Sequence, residues 1–206
     1  MSSSNLIRLS GLAAVAAGVL LLIGDLLAFA TEPENLSEWA TMPSYFFVWL
    51  LFLLGAVLLL AGLVGLYVRQ SEAAGVLGFV GFLIAFLGTA LALGTVWAQL
   101  FVAPSLATEA PGVLDNEPTG MLAAGFMITF VIVFPLGWLL FGIATLRAQV
   151  YPRAAAIVLI VGSVITFLPL PLTGLVLDVA GAWLGLTLMS GQVAAQATAG
   201  AQPRVQ

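Results

Sequence analysis

Long apolar runs, parted only by short polar segments, fill most of this chain: 6–30, 44–68, 73–103 and 120–146, then a further apolar stretch over 154–190. A helix crosses the hydrocarbon core of a bilayer in ~20 residues at ~1.5 Å per residue, so each of the first four runs is long enough to span it. Hydrophobic residues make up 62% of the 206 and charged residues 7%, whereas a soluble domain carries roughly a quarter of its residues charged. Lipid must replace water as the main solvent. The expected fold is an all-α, polytopic transmembrane helix bundle in one domain over 1–190.

The polar segments set the boundaries. TEPENLSEWATMP follows the first run, and RQSE makes a four-residue turn after the second. The third run is long enough to tilt or project from the membrane. Segment 104–119, PSLATEAPGVLDNEPT, is rich in Pro and acid and reads as an exposed loop. RAQVYPR follows the fourth run. Stretch 154–190 is too long for one crossing, and LPLPL at 168–172 breaks it, because proline removes a donor and disfavours helix before its ring. The division predicts short helices over 154–168 and 173–190, six in all. A kinked single crossing or a re-entrant hairpin would make five. Tail 191–206, rich in Ala, Gln and Gly, reads as unstructured and cytoplasmic.

Charge gives the orientation. Arg8, Arg69, Arg147, Arg153 and Arg204 all fall on one side of this threading, while the two long loops carry only acids, Glu32, Glu34 and Glu38 in one and Glu109, Asp115 and Glu117 in the other. Excess Arg/Lys marks cytoplasmic segments. The N-terminus is therefore expected inside a bacterial plasma (inner) membrane, with acidic loops 31–43 and 104–119 outside. Arg8, the apolar run after it and Ala28-Phe29-Ala30 also resemble a cleavable signal peptide, but the run is long for one and contains Asp25. Tyr45, Trp49, Trp97 and Phe101 near the outer boundary, and Tyr67 and Tyr151 near the inner one, read as interfacial anchors.

Cys, His and Lys are all absent. That excludes disulfides, thiolate nucleophiles, Cys/His zinc sites, His-ligated haem, Ser/His/Asp catalysis and Schiff-base lysines. With no basic patch, nucleic acid is excluded as a partner as well. No metal, cofactor or catalytic set is expected, and the expected partners are the lipid bilayer and, through glycine-rich faces, other membrane subunits or further copies of the chain.

Asp25 and Asp178 lie within apolar runs. A charge at mid-membrane costs ~2.5–3.5 kcal/mol on insertion scales, so such residues face protein or water. Gly11, Gly18 and Asp25 recur at seven-residue spacing on one helical face, and Gly174, Asp178, Gly181 and Gly185 share another. GAWLG is itself a G-x-x-x-G, a spacing that lets helices approach closely. Gly81, Gly88, Thr95 and Gln99 make a comparable stripe on the third run. By helical rise Asp25, Gln99 and Asp178 all sit ~7–9 Å below the outer surface. The spacing predicts one polar cluster of Asp25, Thr95, Gln99 and Asp178, acting as a proton-binding pocket or as hydrogen-bonded packing. Pro135, in FPLGW, is a candidate helix kink.

FGIATLRAQVYPRAAA over 141–156, an N-terminal run LIRLSGLAAVAAGVLLLIGDLL and AWLGLTLMSGQ near the C-terminus resemble segments of uncharacterised small multi-pass inner-membrane proteins of actinobacteria and Chloroflexi-like bacteria. The resemblance covers about a third of the chain and implies a bundle of four to six helices. It carries no site residues. Missing catalytic chemistry and abundant small-residue faces favour a non-enzymatic accessory or structural subunit of a membrane complex. Asp25, Asp178 and Pro135 favour a small transporter or channel for a proton, ion or apolar molecule. A water-accessible cavity joining the two acids would favour transport; acids facing separate surfaces would favour the accessory role.

Overall fold

A computed structural model describes residues 3–168 and 172–200, and they are helical throughout their ordered elements, with no strand among them. Three helices are long and apolar enough to cross a membrane: Asn5–Thr31, Pro43–Phe101 and Gly120–Ala148. The first belongs to α1 (Ser3–Thr31) and the second is α3 (Pro43–Phe101). The third comprises α6 (Gly120–Phe126), a π-helical turn (Met127–Val133) and α7 (Phe134–Ala148). Two shorter apolar helices, α8 (Arg153–Ile165) and α9 (Gly174–Gly200), complete the bundle.

Although α3 is hydrogen-bonded as one helix, it is a hairpin. Tyr67 and Phe82 would stand ~22 Å apart along a straight helix, yet their rings stack at 4.4 Å and 14°. At the other end, the Tyr45 hydroxyl reaches the backbone oxygen of Gln99 at 3.0 Å. The reversal is at Gly75, whose φ of 56° and ψ of −150° are non-helical. Only glycine takes such a backbone without strain. The turn expected over RQSE thus falls later: helix continues through those four residues, all of them helix-compatible, and breaks where the missing Cβ permits it. The two arms, 43–74 and 76–101, each exceed the length that a crossing requires.

The limbs close into a ring through glycines. A Cβ at Gly62 would lie 2.8 Å from Ala14 Cα, joining the first arm of α3 to α1. Gly185 of α9 lies against Gly11 and Val15 of α1, Gly81 of the second arm against Phe141 of α7, Gly142 of α7 against Ile160 of α8, and Gly162 of α8 against Leu177 of α9. These close backbone approaches are the contacts that small residues allow in membranes. Inside the ring, Leu63, Leu66, Trp138, Phe141, Leu159 and Leu184 form one buried core. The first helix is therefore an integral wall, with Ala14 and Ala17 fully buried.

The arginines described are gathered at one end. Arg8, Arg69, Arg147 and Arg153 lie at the end holding Gly75 and the α7–α8 turn; Arg204, Pro169 and Pro171 lie outside the described residues. The acids Glu32, Glu34, Glu38, Glu109, Asp115 and Glu117 lie at the opposite end. There the two expected open loops form a folded cap instead: α2 (Leu36–Ala40) in the first, α4 (Ala103–Glu109) and α5 (Gly112–Asp115) in the second. Trp39, Tyr45, Val48 and Ala103 bury each other beneath it. Asp115 ties the loops together, accepting from the Ser37 N–H at 2.8 Å and from its hydroxyl at 2.6 Å.

Two further expectations, for Tyr45 and Tyr151, are corrected. Tyr45 and Tyr151 are 1% and 6% exposed, so they are core residues rather than anchors, whereas Trp97 and Phe101 are exposed. The Tyr151 hydroxyl donates to the Leu66 carbonyl at 3.1 Å, and burial pushes this phenol above its ordinary range, opposed by the nearby Arg69 charge. The stretch 191–200, expected to be unstructured, continues α9 to Gly200, as its Ala and Gln, both good helix formers, allow; 201–206 lie outside the described residues.

Candidate functional site

Asp25, near the end of α1, and Asp178, one turn into α9, are brought together. Their side chains line one cavity and lie within reach of each other, and two carboxyls so placed disfavour ionising together. Both come from the close α1–α9 seam, where a Cβ on Gly18 would lie 2.5 Å from the Asp178 carbonyl oxygen and 2.8 Å from Ala182 Cβ. Asp25 Oδ2 also lies against Gly174, only 2.6 Å from where a Cβ would stand. Gly174 is the first residue of α9, and the free N–H groups of a helix N-terminus favour negative charge.

The pair lines a cavity of about 210 Å³ inside the ring, together with Thr89, Thr166, Phe130 and Phe134. Thr89 and Thr166 already use their hydroxyls: Thr89 donates to the Ala85 carbonyl at 2.8 Å and accepts from Trp138 Nε1 at 3.2 Å, and Thr166 donates to the Ser163 carbonyl at 2.7 Å. The carboxyl pair is thus the free polar feature of an otherwise apolar chamber. Asp178, 9% exposed, also borders a groove of about 250 Å³ on the outer α1–α9 seam, among Val19, Leu22 and Trp183.

Thr95 and Gln99 do not join the carboxyls. They face a second cavity of about 470 Å³ beneath the cap, between the second arm of α3, α4 and α6. The expected four-residue cluster is therefore two sites. Ala92 and Val96 point to the carboxyl cavity while Thr95 and Gln99 point away from it; equal depth along a bundle does not fix which side of a helix meets which neighbour. Gln99 Oε1 accepts from the Tyr45 hydroxyl at 2.7 Å.

Pro135 occupies the first turn of α7, with the π-helical turn immediately before it. A proline inside a helix lacks the N–H for the carbonyl four residues earlier, here Val131, and its ring crowds that oxygen. The ladder widens just before it, and one extra residue is accommodated. Thr129 lines the larger cavity and its neighbour Phe130 the carboxyl cavity. Thr129 has no charge and no glycine stripe beside it in sequence, so nothing there distinguishes it from lipid-facing neighbours.

Gln70 is a further buried polar residue without sequence signal. It is 1% exposed, its Nε2 donates to Thr145 Oγ1 at 3.0 Å, and its Oε1 has no partner. Among the described residues no group of three or more acids could hold a metal ion. No protein-family model matches the chain, and neither curated proteins nor solved structures give a match.

Proposed function

We propose that the protein is a multi-pass membrane protein of the bacterial inner membrane, crossing six times with its N-terminus inside, and that it is a small transporter or channel moving protons through the Asp25–Asp178 pair. The orientation is supported by the segregation of Arg8, Arg69, Arg147 and Arg153 from the acidic cap. The activity is supported by one observation above all: two carboxyls from different helices come together on the wall of one cavity. Two neighbouring acids titrate as a pair, and intramembrane acids of this kind form proton relays.

The accessory-subunit reading drew on missing catalytic chemistry and on small-residue faces; of those faces, Gly11, Gly18, Gly81, Gly88 and Gly185 abut other helices of the same chain.

The test is proton flux into liposomes holding the purified chain and a pH-sensitive dye, driven by a potassium diffusion potential. Flux above empty liposomes, cut about tenfold or more in both Asp25→Asn and Asp178→Asn, is the expected result. Flux no greater than that of empty liposomes, or unchanged in both folded variants, would refute the proposal.

A further inference from the structure

The larger cavity has features of its own that the carboxyl pair does not explain. Its volume, about 470 Å³, falls in the range of small-molecule sites, which pair an apolar lining with a few placed polar groups. Apolar side chains such as Leu106, Val113, Met121 and Phe126 make up most of the wall. The polar exceptions are Thr95, Gln99, Asn116 and Thr129. Asn116 Nδ2 is engaged, donating to the Gly112 carbonyl at 2.7 Å. Gln99 uses its oxygen for Tyr45, which leaves its amide N–H₂ free, and the hydroxyls of Thr95 and Thr129 make no hydrogen bond among the described residues.

Thr129 is the informative member. It is 7% exposed, and a threonine hydroxyl on a helix normally bonds a carbonyl of the preceding turn, as Thr89 and Thr145 do here. In the π-helical turn its hydroxyl instead remains unpartnered against the cavity. The hydroxyl opens onto the cavity, where a ligand bringing a matching polar atom can meet it.

From these observations we infer that the cavity beneath the cap is a binding site for a neutral amphiphile, an apolar chain or ring carrying a hydroxyl, ester or ketone oxygen. That oxygen meets the Thr95 and Thr129 hydroxyls and the Gln99 amide, and the apolar part fills the rest. Neutrality follows from the lining, in which no residue is charged. An anionic head would also meet the acidic segment bearing Glu109, Asp115 and Glu117. A cationic head finds no counter-ion inside, and Asp115 is already tied to Ser37. Entry from lipid is natural, since Met121 and Leu122, on the wall formed by α6, are 88% and 56% exposed.

Gly125 gives the test a selective handle. It lines the cavity, and a Cβ there meets nothing within 4 Å, so a larger side chain fills the space without a backbone clash. The full chain in lipid nanodiscs is photolabelled with a diazirine-bearing monoacylglycerol and with the fatty acid and fatty amine of the same chain, and the labelled residues are mapped by mass spectrometry. The monoacylglycerol is expected to label α6 and the second arm of α3 about tenfold over either charged probe, and Gly125→Phe to cut that labelling about tenfold. Thr95→Val with Thr129→Val should abolish the preference for the neutral head while chain labelling persists, and this pair decides the matter should Gly125→Phe fail to fold. Equal labelling by the three probes, labelling spread evenly over the lipid-facing surface, or a preference unchanged by the threonine pair would overturn the inference.

Discussion

Two glycines on the same arm of α3 should respond oppositely to the same methyl group. Gly81 faces α7, where a Cβ would stand 2.7 Å from Phe141 N, 2.9 Å from Leu140 C and 3.0 Å from Phe141 Cα. All three are backbone atoms, so no rotamer change relieves them. Reaching the 3.4 Å of an ordinary contact would require the two helices to part by about 0.7 Å, and the core on either side would have to follow. Overpacking of this kind costs ~1–3 kcal/mol. Gly94, farther along the arm, has nothing within 4 Å of the same position. There the substitution brings only the greater helix propensity of alanine, worth up to ~1 kcal/mol. Propensity is common to both sites, so the difference between Gly81→Ala and Gly94→Ala isolates the steric part, at ~1–3 kcal/mol. Unfolding of the micellar protein by increasing SDS, followed by circular dichroism, reads it directly. Truncating Phe141 to Ala in the Gly81→Ala background should not rescue the loss, because the obstruction is main chain. If Gly81→Ala proves as stable as Gly94→Ala, the helices are not held at the distance described and the glycine-sealed ring is wrong.

The buried amide at the α3–α7 contact should respond asymmetrically. Gln70→Leu removes a residue whose Oε1 is unpartnered and leaves Thr145 its bond to the Phe141 carbonyl, so stability in the same SDS titration should stay within ~1 kcal/mol of the parent or rise, whereas Thr145→Val strands the whole Gln70 amide and should cost ~1–3 kcal/mol. At the cap, the Ser37 hydroxyl and N–H hold the Asp115 carboxyl below its ordinary value. Because the folded-state value is the lower one, this tie is fully present above the unfolded value of ~3.9 and is lost as pH falls through the folded one. Exchange of the Ser37 amide, followed by NMR in nanodiscs, should therefore accelerate only below the ordinary carboxylate range, and Asp115→Asn should show the fast exchange already at neutral pH. An onset at or above ~3.9 in the parent protein would contradict the assignment.

What the sequence made legible was set by solvent. Lipid demands long apolar helices, so the runs through 6–30, 120–146 and 173–190 correspond to observed helices. The glycine stripes correctly marked packing faces, because close approach needs small residues wherever the neighbour comes from. They did not say which neighbour. Gly81 and Gly88 face α7, while Thr95 and Gln99, apparently on the same stripe, have turned to another space. Asp25 and Asp178 converge because their stripes form the two sides of one seam; their spacing showed a face, and only the ring closure showed a shared one. The cap was illegible for a different reason. Leu36, Trp39 and Ala103 are too few and too scattered for a periodicity to reveal, and their burial depends on two segments far apart in the chain meeting over Tyr45.

The π-helical turn connects these points. In a regular α-helix Thr129 would bond back to the preceding turn and be satisfied locally. Pro135 removes the N–H for the Val131 carbonyl, the ladder before it widens, and consecutive residues 129 and 130 then serve different cavities. One proline thereby accounts for the widened turn that carries the free Thr129 hydroxyl of the larger chamber. Helix irregularities of this type persist in membranes only where neighbouring structure satisfies the freed groups. Here the second arm of α3 lies alongside, sealed to α7 by Gly81 and Gly88. The tight glycine contacts on one side of that arm are what allow the looser, polar-lined space on the other.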